Sequence, residues 1–148
     1  GDLYFQTLVP LRVDAMIESL DLVKAGVILK PDQRLDDGSY ESWFKKDAAE
    51  LDWSKPVADV YNVIRAANPA PGAWTTVGGE QVQVYDSARL DGDGTPGEVV
   101  AVSDEGVTVQ AAGGRIRMKR GRPQGGDNPP AAEWAAAAGL AAGTGLGN

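Results

Sequence analysis

Five cations fall within eight residues near the end of the chain: Arg115, Arg117, Lys119, Arg120 and Arg122. Such a run can neutralise several phosphates, so it names a polyanion (tRNA or a phosphorylated substrate) as one class of ligand. The competing reading is a solvated strand face, because Arg115, Arg117 and Lys119 alternate with Ile116 and Met118. Arg65 and Asn68 form a second candidate pair beside a proline turn. Arg65 either complements a helix C-terminus or, with Asn68, faces a cleft between domains. Asp52 is read as a linker acid rather than a catalyst, with Trp53 as an apolar staple before a Ser54 cap. Trp74 is expected to be the first inward side chain of a β-domain.

What is absent from the sequence narrows the chemistry further. The chain has no His and no Cys. The one side chain that titrates near neutrality unperturbed is therefore missing, and so is any thiolate metal ligand or disulfide. No phosphate-cradling glycine loop, nucleophile elbow or dense carboxylate metal cluster is present. The catalytic and metal assignments are accordingly none. The net charge is −7, with 7 basic and 11 acidic residues over 1–55 and 7 and 10 over 56–148. Neither part is globally basic, although five of the seven cations in the second part lie in the 115–122 run.

These residues must be held by a modest fold. A chain of 148 residues, 43% of them hydrophobic, supports one domain with a core and a short appendage. No apolar run approaches the ~20 residues that span a bilayer, so no membrane partner is expected and a cytoplasmic location is the default. Val13 to Ala25 reads as an amphipathic helix closed by Gly26. Residues 27–52 are poorly periodic, and Tyr40, Trp43 and Phe44 are expected to anchor this linker to a surface. Ser54-Lys55-Pro56 predicts a helix start, with Val57, Val60, Tyr61 and Ile64 on one apolar face and Asn68-Pro69 as its end.

Five short alternating segments follow: Ala73–Val77, Gln81–Ser87, Gly97–Val102, Val107–Ala111 and Arg115–Arg120. Gly78-Gly79, Asp104-Glu105-Gly106 and Gly113-Gly114 separate them as turns, and the acidic 90–96 loop is expected to be mobile. The fold class expected is mainly β with flanking helices: a small, closed, OB-like antiparallel barrel preceded by an orphaned helix and a linker. Pro130 to Ala138 is a last helix, and the tail Ala141–Asn148 is expected to fray.

The stretch Asp52-Trp53, Ile64-Arg65 and Pro71-Gly72-Ala73-Trp74-Thr75 resembles the opening of the C-terminal domain of the formyltransferase family. Its members include methionyl-tRNA formyltransferases, sugar and amine formyltransferases, and the hydrolase part of 10-formyltetrahydrofolate dehydrogenase. The resemblance implies three regions: 1–30 as the last helix of a missing Rossmann-like catalytic domain, 31–55 as linker, and 56–148 as an OB-like domain. The family's catalytic asparagine, histidine and aspartate lie in that other domain, so this chain is expected to be inert although its parent is an enzyme. The cofactor implied is 10-formyltetrahydrofolate in the parent, with none bound by this chain. Arg65, Asn68, Arg115, Arg117, Lys119 and Arg120 are the residues expected to meet substrate. The partners implied are the catalytic domain and a formyl acceptor, a small amine or folate first and tRNA as the alternative. The charge balance and Trp43-Phe44-Lys45-Lys46 favour the first. The orphaned helix 13–25 is expected to drive self-association through Leu20 and Val23.

Overall fold

The computed structural model describes residues 3–27, 32, 34–40, 42–123 and 125–147. It divides into two compact units, Gly1–Glu41 and Ser42–Asn148. In the first unit a π-helical stretch, Leu3–Leu8, runs into helix α1, Val9–Lys24. The helix starts four residues earlier than the apolar pattern indicates, because Pro10 sits in its first turn, where a missing N–H costs nothing. It ends as expected: Gly26 takes φ +76°, and the N–H groups of Gly26 and Val27 donate to Val23 and Leu22 carbonyls. No residue of α1 is buried. Val13, Met16, Ile17, Leu20 and Val23 are all exposed and share one face at helical spacing, while Leu11 and Leu22, also exposed, lie on the other side.

The second unit is built on five antiparallel strands: β1 (Ala73–Val77), β2 (Glu80–Leu90), β3 (Val99–Ser103), β4 (Gly106–Ala111) and β5 (Gly114–Pro123). All five expected strands form, with β2 and β5 longer than expected. The sheet order is β1-β2-β5-β4-β3. The expected closed barrel is not formed, because β1 and β3 are the two edges and have no ladder between them among the described residues. The barrel-like description therefore fits only loosely. The tail occupies the gap instead. Gly143 and Leu146 donate to Val99 and Gly97 on the β3 side, and Gly147 donates to Thr76 on β1. Leu140 and Leu146 are buried, so the tail is stapled rather than frayed.

Helix α2 (Val57–Ala67) buries Val60, Ile64 and Ala67 against the sheet, as its period indicates. Ser54 does not cap it. Pro56 stands at the cap position and no side chain supplies a cap bond. Ser54 is committed to Asp52 instead, which accepts from both its N–H and its hydroxyl. Helix α3 (Ala131–Ala137) buries Trp134. Trp134 lies against Gly121, where an added Cβ would fall 2.2 Å from its indole nitrogen. The linker aromatics do not anchor: Tyr40 and Trp43 are each 91% exposed and Phe44 is 43% exposed. Ala49, Leu51 and Trp53 perform that role, with Trp53 Nε1 donating to Thr75 Oγ1 at 3.0 Å. Trp74 is not the inward residue of β1. Ala73 and Thr75 are buried, and Trp74 is half-buried with Nε1 donating to the Lys46 carbonyl at 2.8 Å.

Candidate anion-binding face on strand β5

Strand β5 carries the cation run, and its pairing with β2 decides where each side chain goes. Ile116 and Met118 are fully buried, so Arg115 and Arg117 point to the opposite face, as the alternation indicates. The register then slips. Met118 pairs with Ser87, Arg120 with Asp86 and Gly121 with Val84, so Lys119 and Tyr85 are each passed over. A bulge of this kind exchanges the faces of all later residues. Gly121 turns inward beneath Trp134, while Lys119, Arg120 and Arg122 are all exposed.

The five cations differ in what they hold. Arg115 Nε donates to Gln110 Oε1 at 3.0 Å and its Nη2 to the Asp93 carbonyl at 3.2 Å. Gln110 is buried, and its Nε2 lies within 3.0 Å of the carbonyls of Gly92, Ala111 and Gly114. The acidic 90–96 loop is thus tied to β4 and β5, which removes the physical basis for expecting it to be mobile. Arg117 pairs with Glu105 through Nη1. Arg120 donates to the Asn128 carbonyl at 3.0 Å. Arg122 donates to Gln83 Oε1 at 3.2 Å and lies over the Tyr85 ring at 5.5 Å. Lys119 has no partner among the described residues. One charge of five is therefore neutralised by an acid, and four remain.

Arg65 and Asn68 stand elsewhere. Arg65 is exposed at the end of α2 with its guanidinium 5.7 Å from the Tyr61 ring centroid. Asn68 is the residue that follows α2, and its Nδ2 donates to the Tyr85 carbonyl at 2.9 Å, which ties the helix end to β2. Among the described residues no hydrogen bond or ring contact joins Arg65 to the β5 cations, so the six expected substrate residues do not form one constellation. Asp52 forms an exposed ion pair with Lys55 Nζ at 4.0 Å. The Ser54 hydroxyl, then the Ser54 N–H, hold its carboxyl below the ordinary value.

Two cavities matter chemically. The larger, about 540 Å³, is lined by Asp47, Glu50, Asp52, Trp53 and Leu146 among others. Its carboxylates would repel the dianionic tail of a folate, so this cavity does not fit that cofactor and no step is routed through it. No cluster of three or more His, Cys, Asp or Glu is placed to hold a metal among the described residues. The other cavity, about 360 Å³, is lined by Lys46, Gln81, Gln83, Arg122, Gly125 and Gly126. Sequence reasoning missed Gln81, Gln83 and Gln110. The last is legible in hindsight, as a lone amide in a strand, Gly106–Ala111, whose every residue is buried.

The second unit is thus an open five-stranded antiparallel sheet clasped by its own tail, with a partly engaged cationic strand. The chain belongs to the formyl transferase C-terminal domain family, whose model matches residues 44–139. The methionyl-tRNA formyltransferase of Geotalea daltonii is 33% identical over 137 residues, covering 91% of this chain and 43% of that protein. The methionyl-tRNA formyltransferase of Chromobacterium violaceum is 38% identical over 118 residues, covering 79% and 38%. The chain thus spans about two fifths of the curated relatives it matches. The crystal structure of HypX from Aquifex aeolicus in complex with tetrahydrofolic acid superposes with a TM-score of 0.59 at 22% identity. That match covers 85% of this chain and 23% of HypX. It concerns the fold alone. None of the helices among the described residues is long and apolar enough to cross a membrane.

Proposed function

We propose that this chain is the non-catalytic, acceptor-side lobe of a 10-formyltetrahydrofolate-dependent formyltransferase that acts on a small amine or on folate itself. The observation that carries this reading is the engagement of the β5 cations. Arg117 is paired with Glu105 and Arg115 is tied to Gln110 and the Asp93 carbonyl, so the charge left exposed is confined to Lys119, Arg120 and Arg122, and the whole chain is acidic at −7. A surface that tracks a long polyanion needs a continuous field of uncommitted charge. A lobe that shapes a small acceptor site does not.

The lobe's partner on this reading is a formyltransferase catalytic domain, which supplies the general base that a chain without His lacks. Apart from that domain, a second copy of this chain covers the apolar side chains of α1, Leu20 and Val23 among them. A second reading, the tRNA-binding domain of a methionyl-tRNA formyltransferase, is favoured by the names of the curated relatives. The test of the lobe's role is direct. The chain is incubated with 10-formyltetrahydrofolate, with and without a small amine, and release of tetrahydrofolate is followed. No turnover proportional to the chain is expected, and proportional turnover would contradict the assignment.

A further inference from the structure

The 360 Å³ cavity has a composition unlike the rest of this acidic molecule. Two cations line it, Lys46 and Arg122, and no carboxylate does. Neither cation is ion-paired among the described residues. Lys46 Nζ sits 6.0 Å from the Trp74 ring centroid, and the Trp74 indole donates to the Lys46 carbonyl, which fixes the turn Lys46–Ala49 that carries the lysine. Arg122 is oriented from two sides. Its Nε donates to Gln83 Oε1, and Tyr85 lies under its guanidinium plane. Gln83 is itself held by the Tyr85 hydroxyl and by its own Nε2 bond to the Pro71 carbonyl. Neither Nη group of Arg122 makes a hydrogen bond among the described residues. The third feature is Gln81, which lines the cavity and whose buried Nε2 has no hydrogen-bond partner among the described residues. A buried N–H without a partner is costly, and an anion seated in the cavity satisfies it.

We propose that this cavity is a phosphate-binding site. An oriented guanidinium, a lysine and a glutamine with an orphaned amide N–H line it, a set of donors suited to the several acceptor oxygens of a phosphate group. Free phosphate and a small phosphomonoester share that chemistry. A nucleic-acid backbone is disfavoured because the site is local and the neighbouring strand carries Asp86 beside Arg120. The inference stands apart from the assignment to a formyltransferase lobe, since it needs neither folate nor a catalytic domain.

The test is a titration of the intact 148-residue chain with inorganic phosphate and, separately, phosphoethanolamine, followed by the side-chain amide resonance of Gln81. A saturable shift is expected. Arg122→Ala and Lys46→Ala should each weaken binding about tenfold, the usual scale for losing one charge-assisted contact. Arg89→Ala, an exposed cation on β2 that does not line the cavity, should leave binding unchanged. Should Arg122→Ala fail to fold, Gln81→Leu removes the orphaned donor without altering charge and should weaken binding about fivefold. Tighter binding of phosphoethanolamine than of phosphate identifies the phosphomonoester as the source, and the reverse identifies free phosphate. The proposal is overturned by the absence of a saturable shift below about 20 mM ligand, where even weak millimolar sites fill. Equal weakening by Arg89→Ala, or binding of a short oligonucleotide without binding of phosphate, would overturn it as well.

Discussion

The two halves of β5 carry the same residue types and do different work. Before the bulge at Lys119, Arg115 and Arg117 are half-buried, and their guanidinium groups serve as internal ties to Gln110, the Asp93 carbonyl and Glu105. After it, Lys119, Arg120 and Arg122 are exposed, and their bonds to neutral acceptors leave their charge available. The difference arises from what β4 and the acidic loop place beside each residue, not from the arginines themselves. A cationic run in a sequence therefore measures how much charge is present. How much of it faces a ligand depends on the acceptors the fold brings up.

The largest effect should come from the hub of the first half. Gln110→Ala removes the amide that holds three carbonyls and the Arg115 guanidinium, leaving buried groups unpaired. A loss of about 3 kcal/mol is expected in urea unfolding. A loss below about 0.5 kcal/mol, the ordinary size of a surface effect, would break the comparison at its root. Next in size is the contrast between halves. Arg115→Met should cost about 1.5 kcal/mol, because Gln110 Oε1 and the Asp93 carbonyl lose their donor. Arg122→Met should cost less than about 0.5 kcal/mol, since its bonds lie in solvent. Equal costs would mean that the bulge does not divide the strand.

Much of this was legible beforehand. Period-2 alternation and glycine turns located all five strands, and the Val57–Ile64 spacing located α2 with its buried face. Three features were not legible. Lys119 occupies a bulge, and pairing register is a property of two strands that one strand's pattern does not contain. The tail is glycine- and alanine-rich, which locally reads as fraying, yet it finds unpaired edge groups on β1 and β3 that only the assembled sheet offers. Trp74 and Trp53 exchange roles, because an aromatic residue signals burial without saying which side of a strand the core lies on. The candidate site was half visible. Its cations stood out by charge, whereas the amides of Gln81, Gln83 and Gln110 carry no sequence signal beyond their polarity.

Smaller effects sharpen the account outside β5. Ser54 stabilises the ionised form of Asp52 and holds its pKa below the ordinary value. A depressed carboxylate contributes stability above its unfolded-state pKa and loses it as pH falls through the folded-state value. Wild type should therefore exceed Asp52→Asn near neutrality, and the gap should close below about pH 4, where carboxylates protonate. A gap that widened on acidification would contradict the assignment. Helix α1 should contribute least to stability and most to assembly. Its Leu20 and Val23 are 51% and 58% exposed. Leu20→Ser with Val23→Ser should leave the unfolding midpoint of the Ser42–Asn148 unit unchanged while sedimentation shifts toward monomer. Concentration-independent monomer in the wild type would remove the role given to this helix.

The functional weight of the comparison rests on one titration: formyl-acceptor tRNA against the intact chain at about 0.15 M salt, where screening acts over roughly 8 Å. With the first half of β5 committed internally, binding should stay in the non-specific range of about 10⁻⁴–10⁻⁶ M and fall steeply with added salt. Arg117→Ala should change it little. Binding tighter than about 10⁻⁷ M that is abolished by Arg117→Ala with Lys119→Ala would contradict the account and make tRNA the acceptor this lobe serves.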